Sequence, residues 1–128
     1  MKKRLFLTFQ ILCIFIISIY GQSDDLCKHF KTGSYIYKEY PYTNVRVKRN
    51  HKYQKEHETI TGFKIHHKIK WTNSCEYTLT QTWTNEKKLK KNKGSIIKVK
   101  IIKFNKTSYK YIADYNGNIT SYTMIKIK

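Results

Sequence analysis

The run Phe63-Lys64-Ile65-His66-His67-Lys68-Ile69-Lys70-Trp71 decides the fold class, together with the run Cys75-Glu76-Tyr77-Thr78-Leu79-Thr80-Gln81-Thr82-Trp83-Thr84 that follows it. In an extended chain Phe63, Ile65, His67, Ile69 and Trp71 share one face, while Lys64, His66, Lys68 and Lys70 share the other. That is the two-residue period of a strand buried on one side. Beyond a turn at Thr72-Asn73-Ser74 the period resumes, with Cys75, Tyr77, Leu79, Gln81 and Trp83 opposite Thr78, Thr80, Thr82 and Thr84. The two runs predict a hairpin.

The same period continues outward on both sides. Tyr109, Tyr111, Ala113 and Tyr115 alternate up to Asn116-Gly117, a pair that tolerates positive φ and so favours a two-residue hairpin turn; Ile119 to Ile127 then pairs back. Shorter strands are predicted at 34–38, 45–50, 53–57 and 96–105, the last with a slip at Ile101-Ile102 that a β-bulge explains. Tyr40-Pro41, Asn50-His51, Thr61-Gly62 and the lysine-rich stretch 86–95 are the breaks. No segment carries an i, i+3, i+4 apolar stripe. About eight short strands without room for a crossover helix predict an all-β fold: a single antiparallel up-and-down meander, closed as a barrel or strongly curled. A barrel of that size either fills with side chains or holds one small ligand.

Lys2, Lys3 and Arg4 precede an apolar run from Leu5 to Ile19 and then Tyr20-Gly21-Gln22-Ser23. This is the layout of a secretory signal peptide, predicted at 1–22, with a single domain at 23–128. Fifteen residues reach about 22 Å as a helix, short of a bilayer's roughly 30 Å hydrocarbon core. The expectation is export, to a periplasm or the exterior. Cys13 falls within the signal peptide, which leaves Cys27 and Cys75 in a compartment that permits disulfides; one bridge between them is expected.

Without Lys2, Lys3 and Arg4 the formal charge falls from +18 to +15. Lysine, isoleucine, asparagine and tyrosine, all with A/T-rich codons, make up 59 of the 128 residues. Genome composition alone therefore accounts for much of the charge. The alternative is a polyanion-binding surface for nucleic acid, glycan or anionic membrane, carried by Lys87, Lys88, Lys90, Lys91 and Lys93.

Few groups point to catalysis. His66 and His67 are adjacent on a strand and face opposite ways, so they cannot grip one metal. His57-Glu58 begins like a zincin motif, but Thr61 stands where its second histidine belongs, and no CxxC pair exists. Neither a metal nor another cofactor is expected. No spacing pairs the few carboxylates for acid–base work. A non-enzymatic protein is the expectation. His67 and Gln81 are polar residues on otherwise apolar faces and Ala113 is a small one; if they converge, they border a pocket for a small apolar ligand, and otherwise the polar pair satisfies itself inside the core. An open sheet edge would also allow pairing into a dimer, and a closed one a monomer.

The stretch Cys27-Lys28-His29-Phe30-Lys31-Thr32-Gly33-Ser34-Tyr35, with Ile69-Lys70-Trp71, Cys75-Glu76-Tyr77-Thr78-Leu79-Thr80 and Met124-Ile125-Lys126-Ile127, resembles a family of small exported bacterial proteins without an established activity. Some members of that family carry a DNA topoisomerase IV label. A chain this short lacks the ATPase, the strand-passage gate and the arrangement around an active-site tyrosine, so the label reads as transferred. Gly33-Ser34-Tyr35 is also similar to the Gly-x-Trp opening of lipocalin-like barrels, with Tyr35 in the tryptophan's place. That similarity implies a calycin-like fold, and fold alone does not give function.

Overall fold

Every alternating segment forms a strand in the computed structural model, which describes residues 26–128. The signal-peptide expectation for 1–22 lies outside the described residues. The strands are β1 (Gly33–Tyr37), β2 (Val45–Arg49), β3 (Tyr53–Glu58), β4 (Lys64–Asn73), β5 (Glu76–Thr84), β6 (Ile96–Phe104), β7 (Ser108–Tyr115) and β8 (Asn118–Lys126). Each pairs antiparallel with the next, and β8 returns to β1, so the meander closes into an eight-stranded barrel. Closure pairs the two edges that an open sheet would leave exposed.

Tyr35, Val47, Ile69, Tyr77, Val99 and Met124 are all buried, and each sits on the inward phase of its strand. At Asn116 and Gly117 the φ values are +51° and +86°, as the two-residue turn requires. The slip at Ile101-Ile102 is a bulge: Ile101 points in, Ile102 points out, and the register shifts between Ile101 and Lys103. Gly33 has φ +121°, and a Cβ there would stand 2.5 Å from the Lys128 carbonyl oxygen; only glycine lets β1 begin so close to the chain end.

Three local expectations are corrected. The β4–β5 turn is the pair Ser74-Cys75, with Thr72 and Asn73 inside β4; the Asn73 side chain accepts from the Cys75 amide at 3.0 Å and so closes the turn later than composition indicates. Trp83 does not share the inner face of Gln81. A bulge lets His66 pair with Trp83 and His67 with Gln81, so Thr82 is the extra residue and the phase reverses. Trp83 stands outside, 4.7 Å from the His66 ring, and Thr84 turns inward to donate to the Lys64 carbonyl at 2.8 Å. The lysine run is also more regular than a loop: Lys87–Asn92 forms a 3-10 helix whose Lys88 amide donates to the Glu86 side chain.

One end of the barrel is plugged. A 3-10 turn, Lys28–Phe30, inserts Phe30 against Tyr109, with ring centroids 4.9 Å apart. The Cys27–Cys75 disulfide fastens this plug to the β4–β5 turn across 48 residues. Among the described residues no helix is long and apolar enough to cross a membrane.

Candidate ligand-binding mouth

Strand direction places the connections 38–44, 59–63, 85–95 and 116–117 at the end opposite the plug. Here the wall residues change character. Tyr37 ends β1, Tyr42 comes from a 3-10 turn (Tyr42–Asn44), Val45 begins β2, Glu56 lies in β3, Phe63 precedes β4 and Tyr122 lies in β8. Together they border a hollow of about 260 Å³. The Tyr37 ring lies 6.1 Å from Tyr42 and 6.0 Å from Tyr122, and Tyr42 and Tyr122 meet edge to face at 5.3 Å. Rings in that arrangement hold one another in place, which keeps a wall rigid.

The single carboxylic acid in this wall is Glu56. Its Oε1 accepts from the Tyr37 hydroxyl. No group among the described residues donates to its Oε2. Burial raises the Glu56 pKa from its ordinary value, opposed by the Tyr37 hydrogen bond and by Arg49. Burial also pushes Tyr37 well up, reinforced by Glu56 and Tyr111. The Tyr122 phenol rises through its hydrogen bond with Tyr42, then burial, then the charges of Tyr42 and Glu39. The Glu39 carboxylate is held nearby by the Thr123 amide, which donates at 3.0 and 2.9 Å to its two oxygens.

Deeper in, a row of polar side chains crosses the interior. Arg49 pairs in register with Gln54, Gln54 with His67, and His67 with Gln81, and all four are buried. Arg49 donates to Gln54 Oε1 at 2.9 and 2.6 Å, to the Phe30 carbonyl at 2.7 Å and to the Tyr109 hydroxyl at 2.7 Å. Its guanidinium also lies 4.8 Å from the Tyr35 ring centre and 5.0 Å from that of Tyr77. Gln81 Nε2 donates to the Leu89 carbonyl at 2.8 Å, which ties the lysine helix over this side of the barrel.

His67 and Gln81 do face each other from neighbouring strands, but they are not hydrogen-bonded to one another: Gln81 uses Leu89, and His67 Nδ1 has no partner among the described residues. Ala113 belongs to another row, in register with Val99 and, through it, with Tyr77. That row lies four residues along β5 from Gln81, so the three do not converge, and none of them borders the tyrosine hollow. Lys87, Lys88, Lys90, Lys91 and Lys93 are all exposed, the first four on the 3-10 helix.

Sequence patterning missed the mouth because β3 has no apolar face at all. Gln54 and Glu56 point inward while Tyr53, Lys55 and His57 are exposed, and the Glu58 carboxylate folds back onto the amides of Ile60 and Thr61. Comparison of the chain with protein-family models, with curated proteins and with solved structures gives no match. Its role must therefore be argued from its own residues.

Proposed function

We propose that the chain is an exported, non-enzymatic, lipocalin-like barrel that holds one small ligand with an apolar body in the tyrosine-lined mouth. The observation that carries this reading is the wall itself: five aromatic or apolar side chains and one carboxylate with a free oxygen around about 260 Å³. Small-molecule sites have this make-up, mostly apolar with a few polar groups that fix orientation, and the volume suits a ligand below drug size. The Cys27–Cys75 bridge fits an oxidising compartment and supports export. Membership of the small exported family that the cysteine and Gly33-Ser34-Tyr35 segments resemble is part of the same proposal.

Native mass spectrometry of the protein purified from its own source, at low and at high salt, tests this. A bound small mass that survives high salt is expected. Bare protein under both conditions would overturn the reading.

A second reading concerns the outside. Lys48 and Lys55 stand directly opposite on β2 and β3, and Lys55 stands opposite His66, which carries the exposed Trp83 on its ring. Like charges in register are destabilising unless something answers them. A polyanion would do so, with Trp83 as a stacking surface beside the cations. Heparin or oligonucleotide affinity that falls steeply with salt, and that falls further in Lys48→Gln/Lys55→Gln than in Lys87→Gln/Lys88→Gln, is the expected result; salt-independent binding would contradict it.

A further inference from the structure

We propose that the ligand of the mouth is an organic cation, an amine or quaternary ammonium on an apolar body, with its charge beside Glu56 and among the tyrosine rings. The inference rests on the mouth being the ligand site and adds the chemistry it selects.

The walls differ from the rest of the surface in sign. In a chain of formal charge +18, neither lysine, arginine nor histidine borders this hollow. Other hollows have cations in their walls: Lys48, Arg49 and Lys55 border one, Lys98 and Lys100 another, and Lys90 and Lys93 a third. An anionic ligand has several better places to go.

Glu56 also lacks a cation of its own. Among the described residues the one ion pair is Lys100–Glu76, an exposed contact of 3.9 Å on the outside of the barrel. Arg49 influences Glu56 from within, but its guanidinium is already engaged by Gln54, Phe30 and Tyr109. Half-buried Glu56 has Tyr37 as its one protein donor, which leaves its charge without a counter-charge, and a cation at hydrogen-bond distance supplies one. Tyr37, Tyr42 and Tyr122 supply the second half of the recognition, since aromatic rings attract ammonium groups and do so most when water is excluded. Val45 and Phe63 take the apolar body. A neutral ligand would use the rings, and even one whose hydroxyl donates to the carboxylate would leave its charge uncompensated.

Three probes with one indole body separate the ligand class from the site: tryptamine, its alcohol analogue tryptophol and indole-3-acetate. Calorimetric titration of the disulfide-bonded protein at neutral pH is expected to rank them in that order, with tryptamine about ten-fold or more tighter than tryptophol. In Glu56→Gln the advantage of tryptamine should shrink to about two-fold while tryptophol binding stays as it was. Equal or tighter binding of tryptophol or indole-3-acetate would overturn the amine assignment and leave the mouth standing as a site. No binding of any probe would overturn the reading of the mouth as well. Should Glu56→Gln fail to fold, the ranking on the unaltered protein decides alone.

Discussion

Arg49 is a buried cation without a carboxylate in contact, and its neighbours explain how it is tolerated. Three kinds of oxygen accept from it, and tyrosine rings stack around it. Each hydrogen bond to a charged donor contributes about 1.5–3 kcal/mol, and removal of the donor leaves buried acceptors unsatisfied. Arg49→Ala is therefore expected to lower unfolding free energy by about 3 kcal/mol or more, read from urea denaturation; a change under about 1 kcal/mol would contradict the role given to it. This residue was legible in hindsight. Val45, Val47 and Arg49 share one phase of β2, with Arg46 and Lys48 on the other, so alternation alone points Arg49 inward.

His67 makes a different prediction at the same scale. Burial, with a smaller push from His66, holds its imidazole down at about 4 against the usual 6.5. The folded pKa lies below the unfolded one, so the neutral ring costs nothing above pH 6.5 and stability is lost as pH falls from there to about 4. The full loss is roughly 3 kcal/mol. Glu56, with its raised pKa, shifts stability in the opposite sense over an overlapping range, so the difference between wild type and His67→Gln is the useful quantity. Between pH 7 and pH 4 that difference should move in the variant's favour by about 3 kcal/mol; parallel pH profiles would contradict the buried neutral ring.

At the scale of elements, the plug and the bulge matter most. The disulfide closes a loop of 48 residues, for which chain entropy gives about 4 kcal/mol. Replacing Cys27 and Cys75 together by alanine should cost about 3–4 kcal/mol in denaturation experiments, and unchanged stability would show that the plug docks through Phe30 alone. The bridge could be anticipated because Cys27 and Cys75 are the two cysteines outside the expected leader. The eight strands could be anticipated too, because β4, β5 and β7 have strongly unequal faces. What alternation could not give is a phase reversal. Nothing in Gln81-Thr82-Trp83-Thr84 marks Thr82 as the extra residue, since threonine suits either face. At β3 the signal fails for another reason: the inward residues are polar, Gln54 accepting from Arg49 just across the β2–β3 turn and Glu56 Oε1 from Tyr37 on β1.

For the whole molecule, closure organises the charge. The barrel has an outer face rich in lysine, one end plugged by Phe30 and tied by a disulfide, and one end where tyrosines and Glu56 meet. With β1 paired to β8, association between chains would have to use faces rather than strand edges. At the end opposite the plug, the connections 38–44 and 59–63 bring Tyr42 and Phe63 to the mouth. Exposed Tyr40 and Ile60 stand on two of the connections at that end.

The measurement closest to the central claim is a titration of the ¹⁵N-labelled, disulfide-bonded protein with tryptophol, followed by amide chemical shifts. A neutral indole asks only whether the mouth receives an apolar body. Saturable shifts that cluster at Tyr37, Tyr42, Val45, Glu56, Phe63 and Tyr122 are the predicted result. Shifts that gather instead at the plugged end or over the lysine face, or none at saturating ligand, would contradict it.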